Sequence, residues 1–227
     1  MTGVLAIWNN VDQDNEAEFN EWYIRQHIPE RVGVPGFLSG RRHLALSSAD
    51  PSCPRNFTFY EVESTSVLTS DAYVERLNNP TEWTQRTMPW LLDISRTACQ
   101  VDCAAGAGHG AFAGTMQLSL ETGADAEFTA FAQAELLPAL TEQSGVVSAQ
   151  LWQADPANTN VATTERGLRP GEDQSVGAAI MVSATHAGAL VNASALLPRN
   201  ELEVRGATPL SALHLFQLIY ALHAGPQ

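Results

Sequence analysis

The chain repeats part of itself, and the repeat limits its architecture more than any other feature. Ala17-Glu18-Phe19, Ile28-Pro29, Gly36 and Ser39 are answered by Ala126-Glu127-Phe128, Leu137-Pro138, Gly145 and Ser148, every pair 109 positions apart. Each match alone is cheap, but seven in one ungapped register are hard to obtain by chance. The spacing predicts a tandem duplication, with a first repeat over 1–105, a second over 106–227, and the small, Gly-rich residues 104–111 joining them.

Each half predicts the same order of elements. In the first, residues 3–9 read as a strand and 14–30 as a helix, with Asp14 as N-cap and Glu16 and Glu18 in the first turn. Pro35-Gly36 breaks the chain before strands at 37–46 and 56–63, which are separated by a polar loop over 47–55. A helix over 66–78, capped by Ser66 or Ser70, precedes a strand at 91–101. In the second half, strands at 112–120, 146–153, 176–183 and 211–223 alternate with helices at 125–143 and 185–197, and 155–175 is a long polar loop. The order β-α-β-β-α-β, twice, is the ferredoxin-like unit. One such unit leaves a sheet face bare. The closing strand, with Leu213, Leu215 and Ile219 against Phe216, Leu218 and Tyr220, is apolar on both faces, as packing the two sheets together would need. The expected class is α+β: two tandem units forming a single-chain α/β barrel.

Composition excludes several functions. Among 227 residues, 25 are acidic and 12 basic, a net charge of −13, and every basic residue is arginine. Without lysine there is no Schiff base and no phosphate-loop lysine. A net acidic surface opposes nucleic acid and anionic membranes alike. A local arginine pocket remains open, since Arg grips carboxylates with a bidentate fork. Cys53, Cys99 and Cys103 form neither a disulfide framework nor a zinc-site spacing, and read as thiols of a reducing compartment. Residues 1–10 carry no signal-peptide pattern and no apolar run is long enough to span a bilayer, so the expected location is cytoplasmic.

The duplication also allows an internal comparison. Shifted by 109, Trp22 faces Phe131, Tyr23 faces Ala132, His27 faces Leu136, Arg31 faces Leu140, Arg41 faces Gln150 and Arg42 faces Leu151. Scaffold positions match while the polar and aromatic set occurs once, which predicts one pocket in the first repeat. The alternative is a second helix that lies deeper and became apolar. His27, with an ordinary pKa of about 6.5, suits proton transfer; it could equally cap the last carbonyls of its helix. Tyr23, His27 and Arg31 share a helix face. Arg41 and Arg42 adjoin on a strand, so one points in and one out. Tyr60 offers a hydroxyl, and the loop over 78–86, with Trp83 and Arg86, reads as a pocket rim or a packed connection. No metal-ligand spacing, dinucleotide fingerprint or nucleophile elbow is present, so neither metal nor cofactor is expected.

The runs EFNEWYIRQHIPERVGVPGF, GRRH and LNNPTEWTQRTMPW resemble the dimeric α/β-barrel superfamily, and more narrowly its EthD-like and related bacterial members. The resemblance covers most of 3–101, and only the fold-level pattern of 112–222. That superfamily includes monooxygenases, isomerases, dehydratases, decarboxylases and haem-handling enzymes, and fold does not fix function. The resemblance implies an enzyme without metal or nucleotide, acting on a hydrophobic, aromatic or polyketide-like molecule by proton transfer or cofactorless oxygenation. His27 would be the acid/base, Tyr23 and Arg42 would orient substrate or stabilise an oxyanion, and Trp22, Arg31, Arg41, Tyr60, Trp83 and Arg86 would bind it. Two alternatives stay open: a non-catalytic small-molecule binder or accessory protein of a degradation pathway, and a haem protein with His27, His43 or His214 as axial ligand. The resemblance further implies a homodimer of the whole chain.

Overall fold

The computed structural model describes residues 2–46 and 50–225; part of the loop expected over 47–55, residues 47–49, lies outside them. The first half folds as β1 (Gly3–Val11), α1 (Glu16–Trp22), α2 (Ile28–Val32), β2 (Phe37–Ala45), β3 (Asn56–Val62), α3 (Asp71–Asn78), α4 (Glu82–Thr87) and β4 (Leu91–Gly106). The second adds β5 (Phe112–Leu120), α5 (Asp125–Phe131), α6 (Leu137–Thr141), β6 (Val146–Ala154), α7 (Pro156–Thr159), α8 (Thr164–Gly167), β7 (Ala178–Ala184), α9 (Ala187–Ser194), α10 (Arg199–Glu203), β8 (Ala207–Pro209) and β9 (His214–His223). The bounds of β1, α1, α2 and β2 coincide with those of β5, α5, α6 and β6 after a shift of 109 residues.

Proline shapes the helices that open each half. Pro29 has no N–H, and its ring would strike the carbonyl four residues back. The ladder slips by one residue: Ile28 donates its N–H to the carbonyl of Tyr23, and Tyr23–His27 forms a π-helical turn between α1 and α2. Pro138 has the same effect, with Leu137 donating to Ala132 across the π turn Ala132–Leu136. The slip brings Trp22 and His27, five apart in sequence, to a ring separation of 4.4 Å. Gly36 and Gly145 then turn the chain at φ +89° and +88°, the left-handed region glycine favours.

Local expectations fail where a neighbour outbids them. Asp14 is not the cap; Asp12 accepts the Asp14 N–H at 3.2 Å and starts a 3₁₀ turn ahead of α1. Ser70 rather than Ser66 caps α3. The loop expected over 78–86 holds α4, because the Thr81 hydroxyl accepts the Thr84 N–H at 3.1 Å. The expected linker is shorter, since β4 continues through Gly106.

The sheet runs β7-β6-β4-β1-β3-β2-β9-β5, and a β7–β5 pairing closes these eight strands into an antiparallel barrel; β8 adds to β5. The two halves meet along β4–β6 and β2–β9. Trp8, Phe57, Phe59, Trp152 and Phe216 fill the lumen. Phe57 sits 5.4 Å from Trp8 and 5.3 Å from Phe216, Phe59 is 5.3 Å from Trp152, and Trp8 Nε1 donates to Thr115 Oγ1 at 3.0 Å. The helices cover the outer faces through two further apolar clusters. The closing strand departs from its expected two-faced burial: His214 and Phe216 are buried, while Ile219 is 44% exposed. Only the start of β9 is flanked on both sides, since β5 pairs with it over Phe112–Thr115 alone.

His43 lies in this aromatic lumen, with ring centroids 5.3 Å from Phe57 and 5.8 Å from Phe59, and burial pushes its pKa down to about 3. The folded chain keeps it neutral where the unfolded chain would protonate it. Its contribution to stability is therefore intact above about pH 6.5 and is lost as pH falls from there toward 3. Urea titrations between pH 7 and pH 4 should show His43→Phe losing less stability than the parent; equal losses would refute this. At neutral pH, Phe57→Ala should cost about 3–5 kcal/mol by opening the middle of the stack.

Candidate functional site

Alternation along β1 sends Val4, Ala6 and Trp8 inward and Leu5 and Ile7 to the outer face. Between that outer face and the α1–α2 segment lies a cavity of about 320 Å³. Leu5, Ile7, Leu77, Met88, Leu91 and Ile94 make its apolar wall. Tyr23, His27, Arg31, Tyr60, Tyr73 and Arg96 make a polar one. The third wall comes from the other half, from the connection between β6 and β7. That connection is 23 residues long, 155–177, against ten, 46–55, between β2 and β3.

The connection is tied down by specific bonds. Thr65 donates to Asp155 at 2.7 Å, Arg96 donates to the Thr159 carbonyl at 2.6 Å, and the Thr164 N–H donates to Asn78 at 3.0 Å. Glu165, on α8, pairs with Arg31 through both carboxylate oxygens on the one nitrogen Nη2, both side chains at most 6% exposed. Burial opposes the charge on Arg31, but Glu165 outweighs it and holds the guanidinium pKa above its usual value. Asp173 pairs with Arg169 and lies 3.4 Å from Arg166.

Several residues that line the cavity hold buried polar atoms without partners. His27 Nδ1, Arg31 Nη1, Arg169 Nε and Asp173 Oδ1 are buried without a hydrogen bond, while the Tyr60 hydroxyl interacts with that of Tyr23. Burial, and then the charges of Arg31, Arg169 and Arg42, lower the His27 pKa well below 6.5, so the imidazole is neutral at physiological pH. Burial, followed by the neighbouring Tyr23, raises the Tyr60 pKa, so its phenol stays protonated.

Of the residues expected to build a site, Tyr23, His27, Arg31 and Tyr60 come together at this cavity. Trp22 stands behind His27 and donates Nε1–H to Thr84 at 3.3 Å. Arg42 is fully buried behind Tyr23, its guanidinium 4.1 Å from the ring centroid and bonded to Asn20 and Asn56 at 2.6 and 2.8 Å. Burial lowers its pKa to about 10, and it remains charged. Arg42 thus supports the wall without lining it. Arg41 points the opposite way, against Phe59, and bonds Ser39 and Glu61 at 2.8 and 2.7 Å. Arg86 pairs with Glu18 on the surface, and Trp83 packs into the core outside the lining. His43 is enclosed in the lumen, and His214 Nε2 lies 3.2 Å from Asp50.

Glu165, Arg166, Arg169 and Asp173 escape a reading of the first half alone. Their signal is the surplus length of the second connection, with five charges in nine positions.

No protein-family model matches the chain, and no curated protein matches its sequence. Its likeness to solved structures is one of fold. An anthrone oxidase-like protein aligns at 12% identity and a TM-score of 0.65, covering 99% of this chain and 94% of that one. A candidate monooxygenase from Fusobacterium nucleatum subsp. nucleatum aligns at 10% identity and 0.59, over 100% and 96%. A candidate chlorite dismutase aligns at 9% identity and 0.56, over 96% and 95%. The chain therefore shares the α+β barrel fold of these structures over nearly its whole length.

Proposed function

We propose that the protein is a small-molecule enzyme that uses His27 as a general base on a hydrophobic, aromatic or polyketide-like substrate, without metal or nucleotide. The carrying observation is a cavity with an apolar wall whose lining residues include His27 and Arg31, with His27 Nδ1 and Arg31 Nη1 buried and unpartnered. Native proteins seldom leave such atoms unsatisfied; a ligand that exchanges hydrogen bonds with them accounts for them. An acidic CH₂ group beside a carbonyl would lose its proton to His27. The enolate oxygen would be held by Tyr60 and Arg31, while Arg42 would fix Tyr23 from behind. In an oxygenase the resulting anion adds to O₂, the hydroperoxide takes up the proton, and loss of water leaves a ketone. Isomerisation, elimination and decarboxylation use the same base and the same oxyanion donors.

The same reading includes a duplicated chain, with repeats at 1–105 and 106–227, and an EthD-like affiliation. The shared offset of four element pairs and two π turns supports the duplication. A homodimer of the chain and a cytoplasmic location belong to this reading as well. Haem fits the residues less well. A haem-ligating histidine needs a partner for its other ring N–H, and His27 Nδ1 has none. The cavity, at about 320 Å³, stands at the small end of the usual 300–1,000 Å³ for ligand sites. Haem titration should give no Soret shift that His27→Ala removes.

Anthrone with O₂ uptake is a direct assay. His27→Gln should lower kcat/KM at least about 100-fold, the usual contribution of a general base, with melting unchanged. Full activity in that variant would overturn the assignment. Anthrone binding without turnover, unchanged in His27→Gln and lost in Trp22→Ala, would instead mark a binder. Because the His27 pKa is depressed, kcat/KM should stay flat as pH falls through 6.5 and decline only well below it. An acidic limb centred at or above 6.5 would exclude His27 as the free-enzyme base.

A further inference from the structure

The charge of the cavity differs in sign from that of the protein. Its lining holds four arginines, Arg31, Arg96, Arg166 and Arg169, against two carboxylates, Glu165 and Asp173, in a chain whose net charge is −13. One third of all arginines thus gather at one cavity. The carboxylates do not saturate them. Glu165 takes one terminal nitrogen of Arg31 and leaves Nη1 without a hydrogen bond, 3.7 Å from Glu30. Asp173 takes a terminal nitrogen of Arg169 and leaves Nε buried and unpartnered. Two buried guanidinium donors thus await acceptors, against one unpartnered carboxylate oxygen, Asp173 Oδ1. A neutral hydrocarbon would satisfy neither. A carboxylate has lone pairs for both and meets the surplus positive charge.

We propose that the cavity selects an aromatic acid, its ring system against Leu5, Ile7, Met88 and Ile94 and its carboxylate between Arg31 and the Arg169 of the second half. The inference rests on the reading of this cavity as the ligand site and adds the class of ligand. It also assigns a role to the 23-residue connection: Arg169 is a specificity-determining residue brought to a site whose base lies on the other half. The nearness of both arginines to His27 fits this, since each depresses the imidazole pKa and a bound carboxylate would offset both.

The test compares 2-naphthoate with 2-naphthol, which share a ring system and differ in charge at pH 7. Trp22, 4.4 Å from His27, offers a fluorescence signal, and calorimetry gives an independent Kd. The parent should bind naphthoate at least 10-fold more tightly than naphthol. Arg169→Gln should erase that preference by weakening naphthoate alone, Arg169→Lys should keep part of it, and Asp173→Asn should increase it. Because Asp173→Asn removes a carboxylate without removing a guanidinium, it checks the charge account separately from any loss of folding in the Arg169 variants. Equal binding of both probes, unchanged in Arg169→Gln, would overturn the aromatic-acid proposal and leave the cavity as a ligand site. Binding of neither probe by folded parent protein would remove the ligand site itself, and the proposal with it.

Discussion

The buried ion pair between Arg31 and Glu165 is the interaction on which the site depends. Removing two charges from water costs several kcal/mol each, and only close geometry with further bonds recovers it. Here the two charges come from opposite halves, and each is buried because the other is there. The pair ties α8 to α2 and adds a wall to the cavity that the first helices and sheet leave open. It also occupies Nη2 of the Arg31 guanidinium and leaves Nη1 without a hydrogen bond. Replacing both residues with apolar side chains could leave the fold intact, yet it would remove the positive charge and the anchored wall together.

A second constraint is the proline in each opening helix. The π turn that Pro29 imposes moves His27 one step out of the regular helical register and onto Trp22. In the other half the same turn places Leu136, an apolar residue, in an apolar cluster. One backbone device therefore serves packing in one half and presents a titratable ring to a cavity in the other. The aromatic plug of the barrel excludes the lumen as the place for a ligand of any size and leaves the outer faces.

Much of the architecture was legible because its signals are local. Apolar runs, Pro-Gly breaks and the 109-residue offset give the order of strands and helices. The errors lie where a long-range or competing local contact decides. Asp12 takes the capping role expected of Asp14, and Thr81 turns an Asn- and Pro-rich stretch into a helix. The closing strand looks buried on both faces because its residues are apolar, but burial depends on how many neighbours flank it, which no single strand encodes. At the site, helical spacing brings Tyr23, His27 and Arg31 to one face, whereas it cannot show that Arg42 lies behind Tyr23 and Arg41 beyond the sheet. The second half's arginines are the least legible, because they reach the cavity across more than a hundred residues of sequence.

The unequal length of the two connections has a further consequence. A ring made from two identical first halves would carry two histidines and no long connection to close over either of them. In one covalent chain the halves need not match: one carries His27 while the other, with Leu136 at the equivalent position, contributes a wall. Length changes in that wall leave the strands of the barrel in register, so the shape of the chamber can change while His27 stays in place. Symmetry is broken at a surface connection, where insertions disturb the fold least.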